Sequence, residues 1–420
     1  MTVFRRFGPI LLLVGSVAII YRQAVGAYFF EDDFQWLVTR WSFHPSDLFD
    51  LSSRSHFYRP VIELYFWIAS PLFGGSPVAF HLVGIVLHIV NGGLVYLVAA
   101  AVGMRRRFAF VAALLFVVQP SYVAAVAWVG AIAEAIGAFF GCAAICALLR
   151  FRCTGQVGWK ALSLAAFGAA LLTHESSVVF LPLIVLADWT AGTWSWRWRD
   201  IARTYAPFVV VLSAYLAVDL TVNARHYVIA ENQYRLGFHM ISNAFENIAS
   251  LYVGERTLAA HVVVGLVLAA GLIRGTAQAR LAVLWMLLAM LPFLPFNTAN
   301  VSRYAYLPAI GLALLLAEGV AVLATRERVT WRQVLIPLLV AFLAIRFAVF
   351  ATKGVADVAR RAETYRTFLS ALRQTHPQVT NGQIIPIDRD TEKQMPIRYL
   401  EAAVQWEYRN PTIRLVVTDR

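Results

Sequence analysis

The run VAFHLVGIVLHIVNGGLVYLVAAAV, residues 78–102, holds 25 residues and not one Asp, Glu, Lys or Arg. At about 1.5 Å of rise per residue, a helix of this length crosses the roughly 30 Å hydrocarbon core of a bilayer with length to spare. On either side, apolar runs recur at 7–24, 108–118, 128–149, 161–173, 178–192, 201–220, 258–273, 281–296, 307–324 and 333–351. Together they make about eleven spans, several shorter than the roughly 20 residues a straight crossing needs. The short runs require local thinning, re-entrance or cover from neighbouring helices. Composition points the same way: of 420 residues 60% are hydrophobic and 14% charged, with a mean hydropathy of +0.65. The expected fold is an all-α polytopic membrane protein.

The net charge of +12 does not point to nucleic acid, because the basic residues fall in short clusters between apolar runs. These clusters are Arg5-Arg6, Arg105-Arg106-Arg107, and the stretches 150–160, 197–203, 274–280 and 326–332. They fall on alternate connections, which the positive-inside rule places in the cytoplasm. The opposite face then receives residues 25–77, 119–127, 174–177, 221–257 and 297–306, and the tail from 352. Lysine occurs only at Lys160, Lys353 and Lys393, so arginine carries nearly all the positive charge. Cys142 and Cys146 lie one turn apart inside an apolar run with Cys153 beyond it, a placement that gives neither a disulfide framework nor metal spacing.

Arg5-Arg6, the first apolar run and Ala24-Val25-Gly26-Ala27 also fit a cleavable signal peptide. The anchor reading is preferred, because cleavage would leave the acidic pair that follows at the start of an untethered chain. Residues 1–351 read as the transmembrane domain, with a first large non-cytoplasmic loop at about 25–77 and a second at about 221–257. Within the second loop, 237–252 has the pattern of an interfacial amphipathic helix. The tail 352–420 reads as a small α+β appendage outside the membrane, with helical character over 355–373 and short β-branched strands at 383–387 and 413–417.

Phe29-Phe30-Glu31-Asp32-Asp33-Phe34 stands just past the first span. Carboxylates at a membrane edge either face water or have work to do, and the flanking aromatics suit a site packed at headgroup level. The same face holds His56, Tyr58-Arg59-Pro60, Gln119-Pro120-Ser121-Tyr122, His174-Glu175 and Ser302-Arg303-Tyr304. Each has a plainer reading as well: Asp32-Asp33 a solvated loop start, Arg59 a side chain snorkelling to lipid phosphate, His174-Glu175 a wet turn. His81, His88 and Asn91, together with Glu134, suit hydrogen bonding between helices. Arg303 follows a polar break between two spans, where a cation suits an anionic ligand such as phosphate. There is no P-loop, no Gly-x-Ser-x-Gly elbow and no His-Glu-x-x-His, so nucleotide hydrolysis and zinc proteolysis have no support.

In order along residues 1–325, these segments resemble the GT-C superfamily of integral membrane glycosyltransferases. The nearest likeness is to protein O-mannosyltransferase-like members, the bacterial relatives of the transmembrane mannosyltransferases that carry tetratricopeptide repeats. The resemblance rests on Phe30-Glu31-Asp32-Asp33, Tyr58-Arg59-Pro60-Val61, Phe80-His81-Leu82 through His88 and Asn91, and Gln119-Pro120 through Trp128. Thr173-His174-Glu175-Ser176 and Ser302-Arg303-Tyr304-Ala305-Tyr306-Leu307-Pro308 complete it. The chain departs in having Gln119 where the family pattern has His before Pro, and His174 where it has Lys before Glu.

The resemblance implies a GT-C-like fold and a polyprenyl-phosphate-sugar donor. It implies transfer on the non-cytoplasmic face to a hydroxyl of a glycan, lipid or protein acceptor. Asp32 or Asp33 would act as general base, and the other would position it or help hold a divalent cation. Tyr58, Arg59, His174, Glu175, Arg303 and Tyr304 would bind substrate or lipid phosphate. The setting implied is a bacterial inner membrane with the site facing the periplasm or cell exterior, among membrane lipids and without nucleic acid. A lipid-linked sugar flippase or transporter is the alternative; it would carry polar groups through the bilayer and often inverted repeats, which the sequence does not display.

Overall fold

A computed structural model describes residues 2–49, 51, 57–223, 229, 231–252, 257–297, 303–325 and 330–418. His56 and Ser302, and parts of the 221–257 loop, lie outside these residues. The chain is mostly helical. Helix α1 (Thr2–Val25) leads into α2 (Asp32–Thr39), α3 (Pro60–Phe73), α4 (Pro77–Ala101) and α5 (Arg106–Val117). After a short α6 (Ala124–Ala127) come α7 (Ile132–Thr154), α8 (Val157–Leu171), α9 (Phe180–Thr190) and α10 (Trp198–Asn223). Then follow α11 (His239–Tyr252), α12 (Leu258–Arg274), α13 (Ala277–Met290), α14 (Tyr306–Thr325) and α15 (Thr330–Thr375).

Among the described residues, six helices are long and apolar enough to cross a membrane, and four shorter apolar helices accompany them. Helices α4, α5, α7 and α14 pack together as the inner layer. Burial separates inner from outer: 72% of the α7 span is covered by protein, against 6% for the span in α15. On α15, Leu335, Leu338, Phe342, Ile345 and Val349 are exposed at the three-and-four spacing of one helical face. In water such a stripe would be an aggregation hazard; against lipid it is the expected surface. The short α5 lies inside the bundle, with Ala109, Ala112, Leu115 and Phe116 fully buried, so neighbours rather than lipid cover its ends. His88 and Asn91 make the expected interhelical bonds: His88 Nδ1 lies 2.8 Å from the Tyr306 hydroxyl, and Asn91 Nδ2 donates to it at 3.0 Å and to the Ala135 carbonyl at 2.8 Å.

Two features differ from the sequence reading. Residues 60–73, read as loop, form α3. Glu63 and Pro71 interrupt this run and it has only 14 residues, so it carries no span signal, yet Ile62, Phe66 and Ala69 are buried against the bundle. The last apolar run and the helical segment 355–373 are one helix, α15, 46 residues long; Ala351-Thr352-Lys353-Gly354 contains no breaker strong enough to part them.

Beyond α15 the chain forms β1 (Ile384–Asp388), α16 (Arg389–Gln394), α17 (Ile397–Tyr408) and β2 (Arg414–Thr418). The two strands pair in parallel, Ile384 against Arg414 through Asp388 against Thr418, and the intervening helices make the crossover a parallel pair needs. Helix α17 packs against α2 and α15. Trp406 stacks on Trp41 with centroids 5.8 Å apart, and Gln35 Nε2 donates to the Arg398 carbonyl at 3.3 Å. The C-terminal segment thus rests on the short helix that carries the acidic pair.

Candidate active site

Asp32 and Asp33 open α2, where the helix dipole favours negative charge. The preceding Glu31 sits at φ 50°, a conformation that costs a non-glycine residue of order 1–3 kcal/mol and persists only when its surroundings hold it. Arg361 of α15 holds it through an ion pair, and Tyr365, one turn on, packs on Phe34.

The two aspartates have different surroundings. Asp33 is fully buried. Its Oδ2 accepts from the Phe30 N–H at 3.0 Å and its Oδ1 from the Gly130 N–H at 2.5 Å. Burial, reinforced by the neighbouring Asp32 charge, pushes its pKa well above the ordinary carboxylate value in spite of those bonds. Asp32 keeps 22% of its side chain open, and its Oδ2 lies 3.6 Å from Arg303 Nη1. Its Oδ1 is buried without a hydrogen-bond partner. Burial raises its pKa too, with Arg303 pulling the other way.

Gly130 makes this arrangement possible. A Cβ there would collide with Asp32 Oδ1 and come within 3.0 Å of Asp33 Oδ1. The site therefore needs bare backbone at the turn before α7.

Arg303 stands at the start of the segment leading into α14. Its guanidinium lies 4.7 Å from the Trp128 ring centroid and donates to the Tyr304 hydroxyl at 3.2 Å. Phe30 stacks on Trp128 from the α2 side, and Tyr304 is stacked on Phe293 and Phe296. The ring contacts support the face of the guanidinium, while its edge meets the Tyr304 hydroxyl and Asp32.

Arg59 is engaged differently. Its Nε and Nη2 donate to the two carboxylate oxygens of Glu175 at 2.9 and 2.6 Å, the fork-to-fork geometry of strong charge-assisted pairs. Burial works to raise the Glu175 pKa, but the Arg59 charge and its hydrogen bonds overcome it and hold the carboxyl at about 2. The Tyr58 N–H donates to Asn223 Oδ1 at 3.2 Å, and the Val61 N–H donates to the Leu172 carbonyl at 3.1 Å. Residues 58–61 are thereby tied to α10 and to the turn carrying His174.

His174 is buried, and Nδ1 accepts from the Ser176 N–H at 3.2 Å. The proton of the neutral ring therefore sits on Nε2, which faces Glu134 Oε1 at 3.3 Å and Glu175 Oε1 at 3.8 Å. Burial, with the nearby Arg59 charge, lowers its pKa to about 3. His174 is neutral at ordinary pH and lies behind the Arg59–Glu175 pair. Gln119 caps its own turn by accepting from the Ser121 N–H.

Asp32, Arg59, His174, Glu175, Arg303 and Tyr304 thus gather at one end of the bundle, and the charges of Arg303 and Arg59 both reach Asp32. Asp33 sits beneath them as an anchor. Gly130 and Arg361 escaped sequence reasoning: one is a lone glycine among apolar residues, the other lies about 330 residues from its partner. Among the described residues, no group of three or more His, Cys, Asp or Glu side chains is arranged to hold a metal ion. With both Asp33 oxygens engaged and a guanidinium beside Asp32, the acidic pair does not fit a divalent cation.

No family model matches the chain. Over 210 residues it is 28% identical to the mouse protein O-mannosyl-transferase TMTC1, an alignment covering 43% of this chain and 22% of that protein. The chain therefore spans well under half the length of the curated relatives it matches. Among solved structures, the Archaeoglobus fulgidus oligosaccharyltransferase tethered with an acceptor peptide superposes at a TM-score of 0.58, with 14% identity over 99% of this chain and 64% of that one. ArnT from Cupriavidus metallidurans bound to undecaprenyl phosphate superposes at 0.52, with 16% identity over 98% and 86% of the two chains. The chain has the GT-C fold. In its GT-C frame, the charged cluster assembles at one end of the bundle, where α2 meets the turn before α7. The same archaeal oligosaccharyltransferase has been solved in complex with an inhibitory peptide and a dolichol-phosphate (TM-score 0.56, 13% identity, 96% and 64% covered).

Proposed function

We propose that this protein is a membrane glycosyltransferase that moves a sugar from a polyprenyl-phosphate donor to an acceptor hydroxyl on the non-cytoplasmic face, with inversion. The observation that carries the reading is the unequal aspartate pair on a GT-C fold. Asp33 is fully buried and locked by two backbone N–H groups, while Asp32 keeps 22% of its side chain open beside a guanidinium.

Asp32 is the base. It takes the proton of the acceptor hydroxyl as that oxygen attacks the anomeric carbon from the face opposite the phosphate. The bond from the anomeric carbon to the phosphate oxygen breaks, and its electron pair leaves on the lipid phosphate, which needs no proton to depart. Arg303, supported on Trp128, receives the growing phosphate charge. Arg59 adds a second positive charge but is held back by Glu175; His174, as the neutral ring, braces that carboxylate rather than touching phosphate. The raised Asp32 pKa brings a weak base closer to working pH. Relatives and structural neighbours that are transferases or hold polyprenyl phosphates support the donor class. The alternation of basic loops supports the face.

The test is purified protein assayed for sugar transfer from a polyprenyl-phosphate mannose. Asp32→Asn is expected to lose about 10²- to 10⁴-fold in turnover, and near-normal turnover in that variant overturns the assignment. Movement of labelled lipid-sugar across a liposome bilayer without new glycosidic bonds establishes the transporter instead.

A further inference from the structure

A polar cavity lies at the far end of α2. It measures about 1260 Å³ and runs between Arg40-Trp41, the 70–75 end of α3 and the C-terminal segment. Gly75, at φ 81°, brings the α3 turn so close to Trp406 that a Cβ would stand 3.0 Å from the indole, so this wall is built without a side chain. Arg40, Arg373 and Arg409 line the cleft together with the stacked Trp41 and Trp406.

The charges here do not balance. Glu407 is the one carboxylate among the described lining residues, and it is taken by Arg373 at 2.7 Å. Arg40 and Arg409 have no ion-pair partner among the described residues. Arg40 Nε is buried without a hydrogen-bond acceptor, and so is the hydroxyl of Ser70, only 1% exposed, on the same wall. Burial and the facing Arg409 charge both press the Arg40 pKa down. Two guanidiniums brought together without an acceptor make a site shaped for an anion. The paired indoles beside them offer a flat apolar surface, the kind on which the C–H face of a pyranose packs.

We infer that this cleft binds a saccharide bearing a carboxylate or phosphate, held by Arg40 and Arg409 against Trp41 and Trp406. It lies about 12 Å along α2 from Asp32, counting eight residues of helix. Resting on the proposed transferase function, it serves as a subsite for an anionic acceptor glycan whose free hydroxyl reaches Asp32. The C-terminal segment supplies Trp406 and Arg409, and therefore half of the acceptor site.

The experiment uses the full chain in phosphatidylcholine nanodiscs and equilibrium dialysis with labelled glucuronate, glucose 6-phosphate and glucose. Both charged sugars are expected to bind at least about tenfold more tightly than glucose. Arg40→Gln and Arg409→Asn are each expected to remove about tenfold of that preference. Asparagine is chosen at 409 because that residue sits at φ 51°, which Asn tolerates; should Arg40→Gln fail to fold, Arg409→Asn carries the test alone. Equal binding of glucose, or an unchanged preference in Arg409→Asn, overturns the site. Inorganic phosphate binding as tightly as glucose 6-phosphate removes the saccharide from the proposal. Displacement by phosphatidylglycerol in the disc assigns the cleft to a lipid headgroup and overturns it too. Asp32→Asn is expected to bind these sugars like the parent chain. Normal turnover in that variant with intact binding would sink the transferase reading and leave the cleft standing.

Discussion

Helix α7 has an aspartate–arginine contact at each end, and the two are opposites. Beyond its C-terminal turn, Asp188 is fully buried and saturated: Oδ2 accepts from Arg152 Nε and Nη2 at 2.9 and 2.6 Å and from the Tyr205 hydroxyl at 2.5 Å, while Oδ1 accepts from Thr193. About 33 Å away along the helix, before its first turn, Asp32 faces Arg303 across 3.6 Å with one oxygen unpartnered. The same two residue types make a structural pin in one place and an unfinished interaction in the other. Four donors hold Asp188 in place, whereas Asp32, between a bare glycine and a stacked guanidinium, keeps one oxygen without a donor.

Substitution separates the two ends. Asp32→Asn is expected to cut turnover by the 10²- to 10⁴-fold of a lost general base while leaving the melting temperature nearly unchanged. Asp188→Ala should do the reverse. It strands the Arg152 guanidinium and should cost about 3–5 kcal/mol of stability, read from thermal unfolding in detergent, with the surviving folded protein retaining turnover. If Asp188→Ala abolishes transfer at full stability, the contrast is false.

Gly130→Ala sharpens the active end. The added methyl meets Asp32 Oδ1, and overpacking of this kind costs about 1–3 kcal/mol. Turnover should fall further than stability, because the displaced group is the proposed base. Equal losses of turnover and of folded fraction would mean that Gly130 serves packing alone.

The smallest effect expected is on pH dependence. The His174 pKa is lowered from 6.5 to about 3, so below 6.5 the unfolded chain takes up a proton that the folded chain refuses. Stability therefore falls as pH falls from 6.5 toward 3, by about 1–2 kcal/mol at pH 5 for one such group. Glu175, lowered from 4.5 to about 2, adds a loss of the same sign between those values. His174→Asn keeps an acceptor for the Ser176 N–H and should flatten the melting-temperature slope between pH 6.5 and 5. An unaltered slope would show that His174 titrates freely.

Much of the architecture was legible because a bilayer imposes a long apolar period that composition cannot hide. The run 78–102 became Pro77–Ala101 and 258–273 became Leu258–Arg274, and the strands of the tail lie within one residue of their β-branched runs. Helix α3 was not legible: a short helix with Glu63 and Pro71 in it looks like loop until tertiary contacts bury it. At the site, sequence order brought forward Asp32, Arg59, His174 and Arg303. It could not distinguish two adjacent aspartates, whose difference lies in the N–H groups of Phe30 and Gly130. Nor could it show that His174 is held neutral, which depends on burial beside Arg59.

Helix α15 sets a height. At 46 residues it is about 69 Å long, more than twice the roughly 30 Å of hydrocarbon it crosses. One continuous helix therefore takes its level from the lipid over its first half and meets Glu31 and Phe34 through Arg361 and Tyr365 further along. Counting from its last lipid-facing turn at Val349, Arg361 stands about 18 Å further along the axis. The helix acts as a gauge between the hydrocarbon surface and the acidic pair. Adding or deleting one turn between residues 352 and 360 would shift Arg361 and Tyr365 by about 5 Å against α2 and, under the proposed function, change how far above the lipid a sugar must stand to be reached.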